Sequence, residues 1–234
     1  DAYLAEHHAE IAALIVEPLV QCAAGMAVYD AEYLRLAHAS CHRHQVHLIA
    51  DEIAVGCGRT GTFFACEQAG EEVWPDFLCL SKGISGGYLP LSLVMTSDPV
   101  YAAFYDDEVT RGFLHSHSYT GNPLACRAAL ATLAIFAEDD VLNANRQRAA
   151  YLNENATELK SQPWLRHWRQ RGMIWAFDVD TAIKQFPLRV FKAGLRHDLL
   201  LRPIGNTVYF MPPYVIDEKE TDFLLRQTLT VLNE

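Results

Sequence analysis

Val46-His47-Leu48-Ile49-Ala50-Asp51-Glu52 and, further along, Phe77-Leu78-Cys79-Leu80-Ser81-Lys82-Gly83 are the two runs that decide the fold. Each is a short apolar stretch of strand length that ends in charge, Asp51-Glu52 in the first and Lys82 in the second. Such runs, without strict alternation, are what a strand buried on both faces looks like. Two more flank them: Ile11 to Glu17, closed by Pro18, and Leu91 to Met95. Ala31 to Gln45 carries apolar residues at helical spacing through Tyr33, Leu34, Ala37 and Cys41, with Asp30 placed as an N-cap. Short buried strands alternating with helices predict an α/β domain on a mostly parallel sheet.

Downstream, Asn122 to Ala137 is expected to be a helix with Pro123 in its first turn, and Asp139 to Lys160 one long helix. The pattern then changes. Trp164 to Arg171, Ile174 to Val179, Leu199 to Arg202 and Val208 to Met211 read as strands; Leu188 to His197 and Glu218 to Leu232 read as helices. A boundary is expected near residue 138, with residues 1–138 in one domain and 139–234 in a small α+β domain.

Half of the 234 residues are hydrophobic and about a fifth charged, which is globular composition with a substantial core. The net charge of −10 argues against nucleic acid or an anionic membrane as main partner, and there is no basic patch with interleaved aromatics. No apolar run approaches the roughly 20 residues that span a bilayer, and no secretory signal is visible. The cysteines at 22, 41, 57, 66, 79 and 126 form neither a C-x-x-C pair nor a zinc spacing, and read as reduced thiols of a cytoplasmic protein. His38 and His42 can share a helix face beside Cys41, but the H-E-x-x-H pattern is absent, so a solvated polar face is expected and no metal site. The chain opens on Asp1 rather than Met and reaches a strand-like run within ten or so residues, as a fragment would.

In open α/β sheets functional groups gather at the carboxyl ends of strands. Asp51 and Lys82 would both stand there, on one sheet. Alone, such a pair is usually a salt bridge or two surface charges. The surroundings say more: Ile84-Ser85-Gly86-Gly87 follows Lys82 and lets a bulky group come close to the backbone. Gly56-Cys57-Gly58-Arg59-Thr60-Gly61 matches G-x-G-x-x-G, the dinucleotide fingerprint. That fingerprint needs a strand leading straight into the first glycine, a helix opening inside the motif and an acid after the next strand. Here Asp51 to Val55 intervene and the next strand ends in Lys82, so the run reads as a tight glycine loop.

Taken together, Val16-Glu17-Pro18, Leu48-Ile49-Ala50-Asp51-Glu52-Ile53, Gly58-Arg59-Thr60-Gly61, Ser81-Lys82-Gly83 and Gly121-Asn122-Pro123-Leu124-Ala125 resemble the class III pyridoxal-phosphate aminotransferases, in the family's order and near its spacing. The resemblance runs from about residue 11 to the end. It implies a fold-type I transferase, residues 1–138 being the carboxy-terminal part of its cofactor domain. It implies that Lys82 carries pyridoxal 5'-phosphate as a Schiff base and that Asp51 pairs with the protonated ring nitrogen. It further implies that His117 and Ser118 lie at the cofactor phosphate of a neighbouring subunit, so that the enzyme is a homodimer with shared sites. Ser118 keeps the hydroxyl of the threonine usual there, whereas His117 departs from the family's pattern. The family's members also extend further at the amino end, where they supply a phosphate cradle, an aromatic stacked on the cofactor and part of the substrate pocket.

Many members place an arginine where this chain has Tyr209; here the arginine stands earlier, in Arg202-Pro203-Ile204-Gly205. That arrangement is similar to the biotin-synthesis branch of the family, which uses S-adenosylmethionine as amino donor. It implies Arg202 as the grip on a substrate carboxylate, a task that suits a guanidinium fork, with Ser116 and Tyr209 near the substrate. A core aromatic is an equal reading of Tyr209. Cys22 and Cys57 stand where the family usually has a glycine and an aromatic, and read as small buried filler. Three other readings stay open: a class III enzyme acting on an ω-amine, a nicotinamide-dependent oxidoreductase using Gly56, Gly58 and Gly61, and a non-catalytic fragment.

Overall fold

The computed structural model describes residues 1–115 and 117–234. The chain divides into two compact units, one of residues 1–19, 29–57 and 62–139, the other of residues 20–28, 58–61 and 140–234.

The first unit holds helix α1 (Ala2–His7), strand β1 (Ala13–Val16), helix α2 (Ala31–His44), strands β2 (His47–Asp51), β3 (Phe77–Leu80) and β4 (Leu93–Thr96), and helices α3 (Asp98–Phe104) and α4 (Pro123–Glu138). The four strands form one sheet in the order β1-β2-β3-β4. β1 and β2 are parallel, with Val16 opposite Ala50, and so are β2 and β3, with Asp51 opposite Cys79; β4 runs antiparallel to β3. The mostly parallel sheet is thus present. α2 begins where Asp30 accepts a hydrogen bond from the Glu32 amide at 2.8 Å. It ends at Gln45, whose left-handed backbone (φ 57°) turns the chain directly into β2. Its buried face, Leu34 and Cys41, packs on Val46, Leu48, Ala50, Leu78 and Leu80. Burying a leucine such as Leu34 or Leu48 contributes roughly 1.5–3 kcal/mol.

Two expectations differ here. Leu91 to Met95 was to be a buried strand, but β4 lies at the sheet edge with all four residues exposed. Alternation of strands with helices implies a helix between β2 and β3, but the connection holds a five-residue 3-10 turn, Ala65–Ala69. Gly56, Gly58, Gly61 and Gly70 leave too short an uninterrupted stretch for a crossover helix.

The second unit contains a hairpin of two residues per arm, Val20–Gln21 against Ala27–Val28. It continues with helices α5 (Val141–Asn155) and α6 (Thr157–Lys160), strands β5 (Leu165–Arg171) and β6 (Ile174–Val179), helix α7 (Phe186–Arg196), strand β7 (Thr207–Phe210) and helix α8 (Glu218–Asn233). The sheet β5-β6-β7 is antiparallel throughout. Trp175 and Phe177 of β6 are fully buried at the centre of its core, among Leu152, Val190, Val208 and Leu225. Arg169 of β5 fastens the early hairpin, donating to the carbonyls of Gly25 at 2.6 Å and Met26 at 2.9 Å.

The stretch expected as one helix over 139–160 is two, broken at Ala156. The break has a local cause. The Asn155 amide donates to the Tyr151 carbonyl and the Thr157 hydroxyl to the Glu154 carbonyl, so side chains compete for helix acceptors. Leu199 to Arg202 forms no strand. The Leu199 amide instead satisfies the Gly194 carbonyl at the end of α7, and the alternating burial of Leu199 and Leu201 reflects packing of irregular chain.

Candidate active site

Asp51 is the last residue of β2, and the next amide, Glu52, donates to the Cys79 carbonyl at 3.0 Å, extending the ladder by one bond. Half-buried Asp51 accepts the Ile53 amide on Oδ1 at 3.1 Å; its Oδ2 has no hydrogen-bond partner among the described residues. Lys82 stands three residues beyond Cys79, at the same end of the neighbouring parallel strand. Its side chain is exposed and makes no hydrogen bond or ion pair among the described residues. Its backbone is left-handed, φ 47°, a conformation costly for lysine and concentrated at functional positions. The flanks hold it there: the Ser81 hydroxyl donates to the Leu91 carbonyl at 2.6 Å and the Ser85 hydroxyl to the Leu89 carbonyl at 2.7 Å. The donor set fits pyridoxal phosphate: an amine free to meet an aldehyde, and a carboxylate oxygen free to meet a protonated ring nitrogen.

α4 packs against the Lys82–Ser85 turn through Ala129 and Ile84, with Cys57 in the same cluster. α4 is started by Asn122, whose Oδ1 accepts the Leu124 amide at 3.0 Å. Just before it, the His117 ring accepts the Tyr119 amide at 3.2 Å and the His117 carbonyl accepts the Thr120 amide at 2.9 Å. His117 thus shapes its own turn. Ser118 is exposed, and its hydroxyl has no partner among the described residues. Ser116 lies outside the described residues.

Arg202 and Tyr209 belong to the second unit. Arg202 is exposed beside buried Leu201 and makes no ion pair among the described residues. Tyr209 is half-buried in the middle of β7, opposite Ala176. In the same unit Arg59, the arginine of the glycine loop, donates to the Pro212 carbonyl at 2.7 Å and lies 4.4 Å over the Tyr214 ring. Burial pulls the Arg59 pKa down, against the pull of Tyr214 and Cys22. The glycine loop opens no helix: after Gly61 the next regular element is the 3-10 turn at Ala65–Ala69. It therefore lacks the helix N-terminus that a pyrophosphate needs.

Sequence reading gave no role to Glu52, although the structure makes it a hub. It is 1% exposed, and its two carboxylate oxygens accept the Ala65 and Cys66 amides, both at 2.7 Å. Burial pushes its pKa up, against these two hydrogen bonds. It also helps push up the buried thiols: Cys57 rises to about 11, by burial first and the nearby Glu52 charge second, and Cys66 rises by the same causes. The available signal was Gly56, the fourth residue after Glu52, a position where only glycine leaves the carboxylate room.

The family model of class III aminotransferases matches residues 1–232. The chain is 47% identical to the adenosylmethionine-8-amino-7-oxononanoate aminotransferase of Helicobacter pylori, over 99% of this chain and 54% of that protein. It is 39% identical to the enzyme of the same name from Geobacter sulfurreducens, over 94% and 50%. It superposes on the crystal structure of the Methanocaldococcus jannaschii enzyme of that name with a TM-score of 0.91 at 32% identity, covering 99% of this chain and 56% of that one. It also superposes on the omega transaminase of Pseudomonas jessenii in complex with PMP, with a TM-score of 0.88 at 26% identity, covering 99% and 53%. The chain thus spans about half the length of the relatives it matches. By motif, fold and sequence it belongs to the class III aminotransferases.

Proposed function

We propose that the chain is the carboxy-terminal part of an enzyme that transfers an amino group from S-adenosylmethionine to 8-amino-7-oxononanoate, giving 7,8-diaminononanoate in biotin synthesis. The observation that carries the reading is Asp51 and Lys82, each with an open polar atom, at the same end of adjacent parallel strands. The choice of substrate rests on Arg202 with Tyr209 and on the names of the Helicobacter pylori and Geobacter sulfurreducens relatives. Residues 1–138 are then the end of the cofactor domain and 139–234 the small domain.

Pyridoxal phosphate, when bound, supplies the electron sink that stabilises a carbanion at the substrate carbon. Asp51 keeps the proton on the ring nitrogen, since a nearby opposite charge favours the charged form. The Lys82 Nζ would hold the cofactor, and the same amine would serve as the base that moves the proton. Ser118 and His117 serve the phosphate in a partner copy, which makes the enzyme a homodimer. Arg202 grips the substrate carboxylate as a bidentate fork, and Tyr209 and Ser116 line the substrate. No helix among the described residues is long and apolar enough to cross a membrane. With six free cysteines, we place the enzyme in the cytoplasm.

The test is the absorption spectrum of the purified protein with pyridoxal phosphate, followed by borohydride reduction and peptide mapping. A visible band, a reduced adduct on Lys82 and loss of both in Lys82→Ala are expected. Their absence in a chain extended at the amino end would end the aminotransferase reading. The likeness to the omega transaminase favours a second reading, a class III enzyme acting on an ω-amine. A donor screen decides: amine donors replacing S-adenosylmethionine at equal rate would select it.

A further inference from the structure

Among the described residues Glu52 is the one fully buried carboxylate, and it follows Asp51 directly. Its main chain joins two structures at once. The amide extends the pairing with β3 through Cys79, and the carbonyl accepts the Gly56 amide at 2.9 Å to close the turn 52–56. Its side chain ties that turn to the start of the 65–69 segment through two amides. A Cβ on Gly56 would stand 2.8 Å from the Glu52 Oε2, so turn and carboxylate are in direct contact. The turn delivers Cys57, itself left-handed at φ 52°. The Cys57 Cβ lies 2.8 Å from where a Cβ of Gly83 would be, so the Cys57 side chain packs directly on the residue after Lys82. A continuous line of contact therefore runs from Glu52 through Gly56 and Cys57 to Gly83 and the strained backbone of Lys82.

We propose that Glu52 is a positioning residue for both cofactor groups, setting the end of β2 from which Asp51 projects and, through Gly56 and Cys57, bracing the Lys82–Gly83 backbone. This rests on the reading of Asp51 and Lys82 given above. The chemistry requires a carboxylate: both acceptors face amide donors, and Glu52→Gln would set an NH2 group against one of them. Partners behind the groups that touch a cofactor commonly fix their orientation in this way.

Hydrogen exchange followed by mass spectrometry, on the wild type and on Glu52→Gln without cofactor, tests the bracing. Exchange is expected to rise at least tenfold at 64–69 and also at 81–87, where the Ile84 and Gly86 amides are bonded within the Lys82 turn. Leu34→Ala, which loosens the core behind β2, is the control for general destabilisation and should leave 81–87 unchanged. Cys57→Gly, which leaves Glu52 in place, should loosen 81–87 alone, and it carries the test if Glu52→Gln fails to fold. A rise confined to 64–69, or an unchanged 81–87 in Cys57→Gly, overturns the proposal. With pyridoxal phosphate added, Glu52→Gln but not Leu34→Ala should weaken binding at least tenfold and move the pH midpoint of the visible band by half a unit or more. A normal band in Glu52→Gln also overturns it. A wild-type chain extended at the amino end that shows no band defeats the cofactor reading instead, and the exchange result then still decides whether Glu52 braces the Lys82 turn.

Discussion

A methyl group at position 172 has nowhere to go. Gly172 sits in the turn between β5 and β6 at φ +53°, and an added Cβ would lie 2.4 Å from the Arg59 carbonyl oxygen and the Thr60 carbonyl carbon. The neighbouring Met173 amide donates to that same Arg59 carbonyl at 2.8 Å, so the loop cannot withdraw without losing a bond. Gly172→Ala is expected to cost about 3 kcal/mol or more, from the left-handed backbone and the backbone clash together. Urea denaturation of the two proteins measures it, and a loss under 1 kcal/mol would mean that the loop yields. At this scale the sequence foretold where Asp51 and Lys82 stand, at the same end of adjacent strands. It offered only Gly56 as a sign of Glu52 and nothing for Gly172, because their main constraints come from residues further along the chain. The Glu52 partners are Ala65 and Cys66, and the neighbours of Gly172 lie over a hundred positions away.

The three strands of the second unit meet at Asp178. From β6 it accepts Arg169 and His167 of β5 at 2.9 Å each and the Thr207 hydroxyl of β7 at 2.8 Å. Burial raises its pKa, but the hydrogen bonds from Arg169, Thr207 and His167 outweigh this and hold it below the ordinary value. A carboxyl lowered in the folded state contributes stability that is fully present above its unfolded pKa of about 3.9, and that is lost as pH falls through the lower folded value. The second unit should therefore lose stability on acidification below about pH 4. Asp178→Asn should be weaker at pH 6 by about 1–2 kcal/mol and show a shallower acid loss; parallel acid slopes in urea midpoints would contradict this. Element types were read well where periodicity and caps agreed, as in α2 and α4. They were misread where side chains rather than backbone decided: the break at Ala156, and the irregular run from Leu199 that packs like a strand without pairing like one.

On the first unit, Leu93, Val94 and Met95 of β4 and Tyr101, Phe104 and Tyr105 around α3 are all exposed. Apolar patches beyond a few hundred Å² are unusual on monomers and mark interaction surfaces. The 234-residue chain is therefore expected to bind the dye ANS and to self-associate at micromolar concentration. Val94→Lys, a charge on an edge strand, should raise its monomer fraction. Light scattering after size exclusion reads this, and a wild-type chain that elutes monomeric without dye binding would contradict it. Fold class followed from composition and strand runs. The exposure of β4 did not, because an apolar run records that a surface is to be covered and not by what.

The fastening of the 20–28 hairpin by Arg169 also orders events in time. The hairpin leaves the ribosome more than 140 residues ahead of the side chain that holds its turn. At roughly 5–20 residues per second, that is a wait on the order of ten seconds. Meanwhile the Gly25 and Met26 carbonyls are bonded to water, and two residues per arm are too few to persist alone. The second unit is therefore completed late by pieces synthesised early, and a ribosome that stalls before residue 169 leaves that early segment without its anchor.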